Sequence, residues 1–317
     1  MSEEEKKHRN FLVLFLALSS SAFLFVLGTN WMVDPFNMNA RIDLGLSKQA
    51  VSGRMNVRLF KIIEYARHPE PNLWLGDSRT ASLDVSILDD VSDEKHFNFA
   101  FGGGSIEEAL DAFYFADGVS DLKNVYFGVN FNIYNDRFLV NGVREAIDLH
   151  RHPIRYYTSF FVTKASVFCL AERFTGKNFA SRIPNISKEQ FWALQLGPST
   201  DAFYRAYKRP DAMAAELRKL KTYCDANSIN LVFFIPPQHV DLQMKVDEYG
   251  LARQYEEFKR ELASISTTID FDFPNEFTED KSLYIDPYHF NEYVKEWVLR
   301  EVYAEKPEVG KKLNGFE

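Results

Sequence analysis

The sequence predicts a three-layer α/β protein, a parallel sheet between helices, with one apolar helix ahead of it. Two observations carry this expectation. From about residue 69 to 304, short apolar runs that stop at Gly, Asn or Pro alternate with amphipathic stretches, the pattern of strand, turn and helix repeated. Ahead of them, 11–33 is an unbroken run with no ionisable side chain. With 317 residues, 46% hydrophobic and 15% aromatic, the chain can bury one substantial core.

Residues 1–10 form a short charged tail. The run FLVLFLALSSSAFLFVLGTNWMV that follows would span about 34 Å as a helix, enough for the hydrocarbon of a bilayer. Lys6, Lys7 and Arg9 precede it and Asp34 follows. The positive-inside bias therefore puts the N-terminus in the cytoplasm and the remainder outside, which in a bacterium means a periplasmic domain tethered to the inner membrane. Trp31 suits the outer interface. A cleaved signal peptide is the rival reading. The apolar run continues well past Ser19–Ala22 without an A-x-A at its end, which favours an uncleaved anchor.

Residues 34–68 read as a juxtamembrane connector ending in a helix from Arg54 to Arg67, with Val57, Phe60 and Ile63 near one face. Pro71 forbids that helix from continuing. Leu73, Trp74 and Leu75 then make a buried strand, Gly76 permits a sharp exit, and Ser78 opens the next helix. His96–Phe101 is a second strand stopping at Gly102-Gly103-Gly104. Ser105 caps a helix over 106–116, with Glu107 and Glu108 in its first turn. Residues 123–130 give a third strand.

Between 133 and 229 the pattern loosens into helices, read as a helical insertion. A fourth strand, Asn230–Ile235, is halted by Pro236-Pro237. A helix over 251–264, a fifth strand over 268–273, the segment Tyr284–Phe290 and a closing helix over 291–304 follow. Residues 305–317 read as a loose charged tail.

Strands of a parallel sheet place their C-terminal loops along one edge, where open α/β folds put their sites. Four loops meet there, carrying Ser78, Gly103, Asn130, and Asp286 with His289. A serine hydroxyl needs a base to take its proton, and an imidazole serves if its other nitrogen is held in the right tautomer. His289 supplies the imidazole and Asp286, three residues upstream, the carboxylate. The Ser78 N–H, Gly103 N–H and Asn130 amide would supply donors to a developing oxyanion, each worth about 3 kcal/mol of barrier.

The remaining polar residues are less specific. Arg79 would hold a sugar carboxylate or phosphate, or pair with a local acid such as Asp84 or Asp77. His239 lies on the same edge and reads as a solvated loop residue; His150 and His152 read as surface. Tyr156-Tyr157 and Phe160-Phe161 serve helix packing or stack on sugars. Cys169 and Cys224 have no CxxC or zinc spacing, and whether they pair is open. No metal or cofactor is expected. A net charge of −8, a pI near 5.5 and no basic stripe exclude a nucleic-acid footprint.

Four motifs in order resemble the SGNH, or GDSL-type, serine hydrolases. They are Gly76-Asp77-Ser78, Gly103 within NFAFGGGS, Gly128-Val129-Asn130, and Asp286-Pro287-Tyr288-His289, covering residues about 72 to 300. The resemblance implies a flavodoxin-like sheet, catalytic Ser78, His289 and Asp286, and an oxyanion hole at Gly103 and Asn130. Two positions depart from the pattern. Arg79 stands where leucine often follows the serine, and Phe131 where aspartate often follows the asparagine. Asn132 is then an alternative oxyanion donor or, with Arg79, a substrate contact.

The anchor, the GDSR block and the DPYHF ending look most like membrane-tethered SGNH-like proteins of cell-envelope polymer modification. Alginate O-acetyltransferase relatives and the teichoic-acid D-alanylation transfer protein belong to that group. The likeness implies O-acylation, acetylation foremost, of an envelope or exported polysaccharide, beside a membrane-bound O-acyltransferase partner. Two alternatives stand with it: a polysaccharide acetyl-esterase, and an inactive glycan-binding or scaffolding subunit. The intact triad counts against the second.

Overall fold

Each strand forms where an apolar run ends in a turn residue: β1 (Asn72–Leu75), β2 (His96–Asn98), β3 (Asn124–Gly128), β4 (Asn230–Ile235) and β5 (Thr268–Asp270). They pair in parallel in the order β2-β1-β3-β4-β5. That is the flavodoxin-like order, in which the connections diverge between β1 and β3 and leave a crevice at their carboxyl ends. A separate antiparallel hairpin, β6 (Tyr284–Asp286) with β7 (His289–Phe290), carries the last motif. The structure, a computed structural model, describes residues 2–39, 42–177 and 186–313.

Helices cover both faces. One side of the sheet packs Trp74, Tyr126, Val232, Phe234 and Ile269 against Val294, Val298, Leu299 and Val302 of the helix Glu292–Ala304. Trp74 stacks on Tyr126 with ring centroids 4.5 Å apart. The helices Ile106–Asp117, Asp211–Ala226 and Ala252–Ile265 touch the sheet through β1, β4 and β5 respectively. Alternation along each strand supplies both faces, which is why runs such as LVFFI, residues 231–235, are apolar throughout.

Two expectations change. The sheet is not wholly parallel, because Lys311–Leu313 forms β8, antiparallel to β5. The tail read as loose is therefore a sheet edge as far as Leu313; residues 314–317 lie outside the described residues. One side chain organises the approach to it: the Glu301 carboxylate accepts from the N–H groups of Glu308, Val309 and Gly310 at 3.0–3.1 Å. In addition, the helix expected from Ser78 is a single turn, Ser78–Ala81, followed by a 3-10 turn over Val85–Asp90.

The chain divides into two compact units, Tyr65–Arg144 with Pro184–Glu317, and Met1–Glu64 with Glu145–Ile183. The sheet belongs to the first. The division runs through the 133–229 segment, part of which groups with the N-terminal helix. That helix, Glu3–Val33, is long and apolar enough to cross a membrane or to act as a signal sequence. Its last turn is pinned by Asn30, which is buried. Asn30 Nδ2 donates to the Tyr157 carbonyl at 2.7 Å and to Thr163 Oγ1 at 2.9 Å, and Oδ1 accepts from Ser166 Oγ at 3.0 Å. Tyr156 and Tyr157 are buried in packing, and Phe161 stacks on Phe36 at 5.7 Å.

Candidate active site

Gly76 is the first requirement of the site. Its φ is +146°, a value that favours glycine, and a side chain there would meet Thr80 Oγ1 and the Gly128 carbonyl, the latter at 2.8 Å. A Cβ on Gly128 would collide with the same Thr80 hydroxyl and with the Phe234 ring at 2.8 Å. The glycines of two motifs are thus required by one threonine packed between β1 and β3. The Gly76 carbonyl accepts from the Phe101 N–H at 3.1 Å, which ties the serine turn to the Gly102–Gly104 turn. Asp77 caps the following turn, its Oδ1 accepting from the Arg79 N–H at 3.0 Å.

This turn leaves Ser78 half-buried, facing the β6–β7 hairpin. His289 Nε2 lies 2.8 Å from Ser78 Oγ, and His289 Nδ1 lies 2.7 Å from Asp286 Oδ2. The carboxylate only accepts, so Nδ1 carries the proton and Nε2 is free to accept from the serine hydroxyl. Asp286 is itself held by backbone donors, its other oxygen accepting from the N–H groups of Tyr288 at 2.8 Å and His289 at 3.2 Å. Asp286 is buried while the His289 side chain is 29% exposed, so the relay runs from the interior to the surface.

Gly103 and Asn130 lie on the loops leaving β2 and β3, the two sheet neighbours of β1. Gly103 is solvent-exposed with φ +63°. Asn130 is fully buried, and its Oδ1 accepts a long 3.4 Å bond from the Ile133 N–H. Among the described residues its Nδ2 has no acceptor. A buried amide donor without a partner costs free energy unless a ligand or water completes it, which is what an oxyanion donor requires.

Arg79 and Asn132 are brought together. Arg79 Nη2 donates to Asn132 Oδ1, Nε lies 3.7 Å from Asp77, and the guanidinium sits 5.3 Å from the centroid of the Tyr288 ring. The side chain is 1% exposed, so a ligand at the surface does not reach it in this arrangement. The pairing also orients Asn132: a guanidinium can only donate, so the amide oxygen faces Arg79 and the Nδ2 group points away. Phe131, the other departure, is buried among Tyr204, Tyr207, Tyr255 and Phe258.

His239 is not the solvated residue its position suggested. It is buried between the rings of Trp192 and Tyr284, and it caps the helix Val240–Glu248 by accepting from the Asp241 N–H at 3.1 Å. Burial pushes its imidazole below the ordinary range. The His239 backbone N–H donates to the Pro287 carbonyl at 3.0 Å and supports the Asp286–His289 turn. Tyr288 anchors the same turn through Thr200 Oγ1 at 2.9 Å. Neither contact is evident from the sequence; the clue for His239 is its place in the loop that follows β4.

Cys169 and Cys224 are free and buried, and they fall in different units. His152 pairs with Asp148 at 3.0 Å on the surface. Among the described residues no cluster of His, Cys, Asp and Glu suits a metal ion.

No family model and no curated protein matches the chain. Solved structures do. One, from Streptococcus pneumonia and provisionally described as a platelet activating factor, is 10% identical with a TM-score of 0.40, over 80% of this chain and 93% of that one. At that distance the likeness says nothing about chemistry, which rests on the side-chain geometry of Ser78, His289 and Asp286.

Proposed function

We propose that the chain is a membrane-anchored, extracytoplasmic serine acyltransferase. It takes an acyl group, acetyl foremost, onto Ser78 and passes it to a hydroxyl of an exported or envelope polysaccharide. The observation that carries the chemistry is the unbroken hydrogen-bonded relay from Ser78 Oγ through His289 to Asp286. The carbohydrate acceptor and a membrane-bound acyltransferase as donor rest on the motif resemblance.

In the first half-reaction His289 Nε2 takes the hydroxyl proton while Ser78 Oγ attacks the acyl carbonyl. The resulting oxyanion accepts from the Asn130 amide and from backbone N–H groups of Ser78 and Gly103. The imidazolium, stabilised by Asp286, returns its proton to the leaving group as the carbonyl re-forms. In the second half-reaction an acceptor hydroxyl gives its proton to His289 and attacks the acyl-serine. Ser78 Oγ then leaves and recovers that proton. Water in place of the sugar would make the same site an esterase.

Fluorophosphonate labelling of the full chain tests the relay. Wild type is expected to label, and Ser78→Ala and His289→Ala are not; equal labelling of all three overturns the assignment. Comparing acetate release with acetyl transfer to an oligosaccharide then separates esterase from transferase.

A further inference from the structure

The helix Phe160–Thr175 has apolar residues on opposite sides. Val162, Ala165, Ser166 and Cys169 are buried, with Thr163 and Ser166 bonded to Asn30 of the N-terminal helix. Phe160, Val167 and Phe174 follow at intervals of seven and share the other side. They are 83%, 51% and 83% exposed. A helix with apolar residues on two opposite sides, one already packed on protein, leaves the other for lipid or a partner rather than water.

What adjoins this face identifies its occupant. The helix is bonded to the last turns of Glu3–Val33, where Trp31 and Met32 are themselves exposed. In a chain of net charge −8, residues 151–175 hold Arg151, Arg155, Lys164 and Arg173 against a single acid, Glu172. Arg155 pairs with Asp148, and Lys164 lies over the Phe168 ring at 5.5 Å with its ammonium outward. Aromatic side chains flanked by cations, continuous with an apolar spanning helix, fit an interface of acyl chains and anionic head groups.

We propose that Phe160–Thr175 is a second membrane-contacting element, lying on the bilayer with Phe160, Val167 and Phe174 in lipid. This inference rests on the membrane-anchor part of the proposed function and is independent of the acyl-transfer chemistry. The helix gives the N-terminal unit a second point of attachment, so that the anchor does not swivel freely.

The full chain, reconstituted in vesicles containing phosphatidylglycerol, carries a nitroxide at Phe160→Cys, Val167→Cys or Phe174→Cys in turn. Leu18→Cys serves as the standard within the bilayer and Lys219→Cys as the aqueous one. The native cysteines are buried, with thiols pushed up to about 11 at Cys169 and about 12 at Cys224, so they compete poorly for label. Collision with oxygen relative to a water-soluble nickel chelate is expected to be several-fold higher at all three sites than at Lys219. Values equal to Lys219 beside a high value at Leu18 overturn the second contact alone. A low value at Leu18 overturns the anchor with it. Shielding of the three sites from both reagents means a protein surface covers the helix, and also overturns the proposal.

Discussion

The two ends of the same sheet are built on opposite terms. At the amino ends of β1, β3 and β4 three asparagines stand in register and bond in series. Asn124 Nδ2 donates to Asn72 Oδ1 at 2.7 Å, and Asn72 Nδ2 donates to the Lys95 carbonyl at 3.0 Å. Asn230 Nδ2 donates to Asn124 Oδ1 at 3.4 Å and to Glu305 at 2.9 Å. Beside them His96 Nδ1 accepts from Trp74 Nε1 at 3.1 Å, and its other nitrogen meets Ser92 Oγ at 3.2 Å. At the carboxyl ends the same strands lead to Ser78 and Asn130, and there, among the described residues, the buried Asn130 Nδ2 is left without an acceptor. Polar groups at the closed end complete one another. The Asn130 amide at the open end is left for a ligand or water to complete.

The contrast can be broken at either end. The largest effect is expected from Asp286→Asn, which keeps an acceptor for the backbone N–H groups but favours the wrong imidazole tautomer. Turnover should fall by about 10⁴-fold with the melting temperature nearly unchanged. Next, Asn130→Ala should slow acyl-enzyme formation by about 10²–10³-fold with only a small loss of stability, since the deleted donor has no partner to orphan and the acceptor it removes from the Ile133 N–H is a long 3.4 Å bond. A melting temperature that drops with the rate would mean that Asn130 is structural.

Asn124→Ala sharpens the comparison from the other side. It breaks the ladder and should cost about 1 kcal/mol in denaturant unfolding, with kcat/KM unchanged. A handle of a different kind is pH. Burial pushes the His96 imidazole from 6.5 down to about 4. Its folded value lies below its unfolded one, so the stability it lends is complete above about pH 6.5 and lost as pH falls toward 4. His96→Gln, which can still accept from Trp74, should flatten the melting temperature across that window.

What the sequence revealed follows the range of the forces involved. β4 is legible to the residue because Leu231–Ile235 is apolar throughout, Asn230 opens it and Pro236 ends it. Ser78, Gly103, Asn130 and His289 are legible as candidates because each lies within a few residues of a strand end, and the strand order places the loops after β1, β2 and β3 side by side. Contacts set by distant partners were not legible. Arg79 turned inward because Asn132, 53 positions on, accepts from it. β8 follows a turn whose three N–H groups Glu301 gathers, which its charged sequence does not announce. Residues 145–183 join the N-terminal unit through such contacts as Asn30 to Tyr157.

The most direct measurement is the mass of the peptide bearing Ser78 after the full chain is exposed to p-nitrophenyl acetate and quenched in acid. One acetyl group on Ser78 in the wild type, and none on that peptide in His289→Ala, is the predicted result. Acetyl on other residues with Ser78 unmodified would contradict the account.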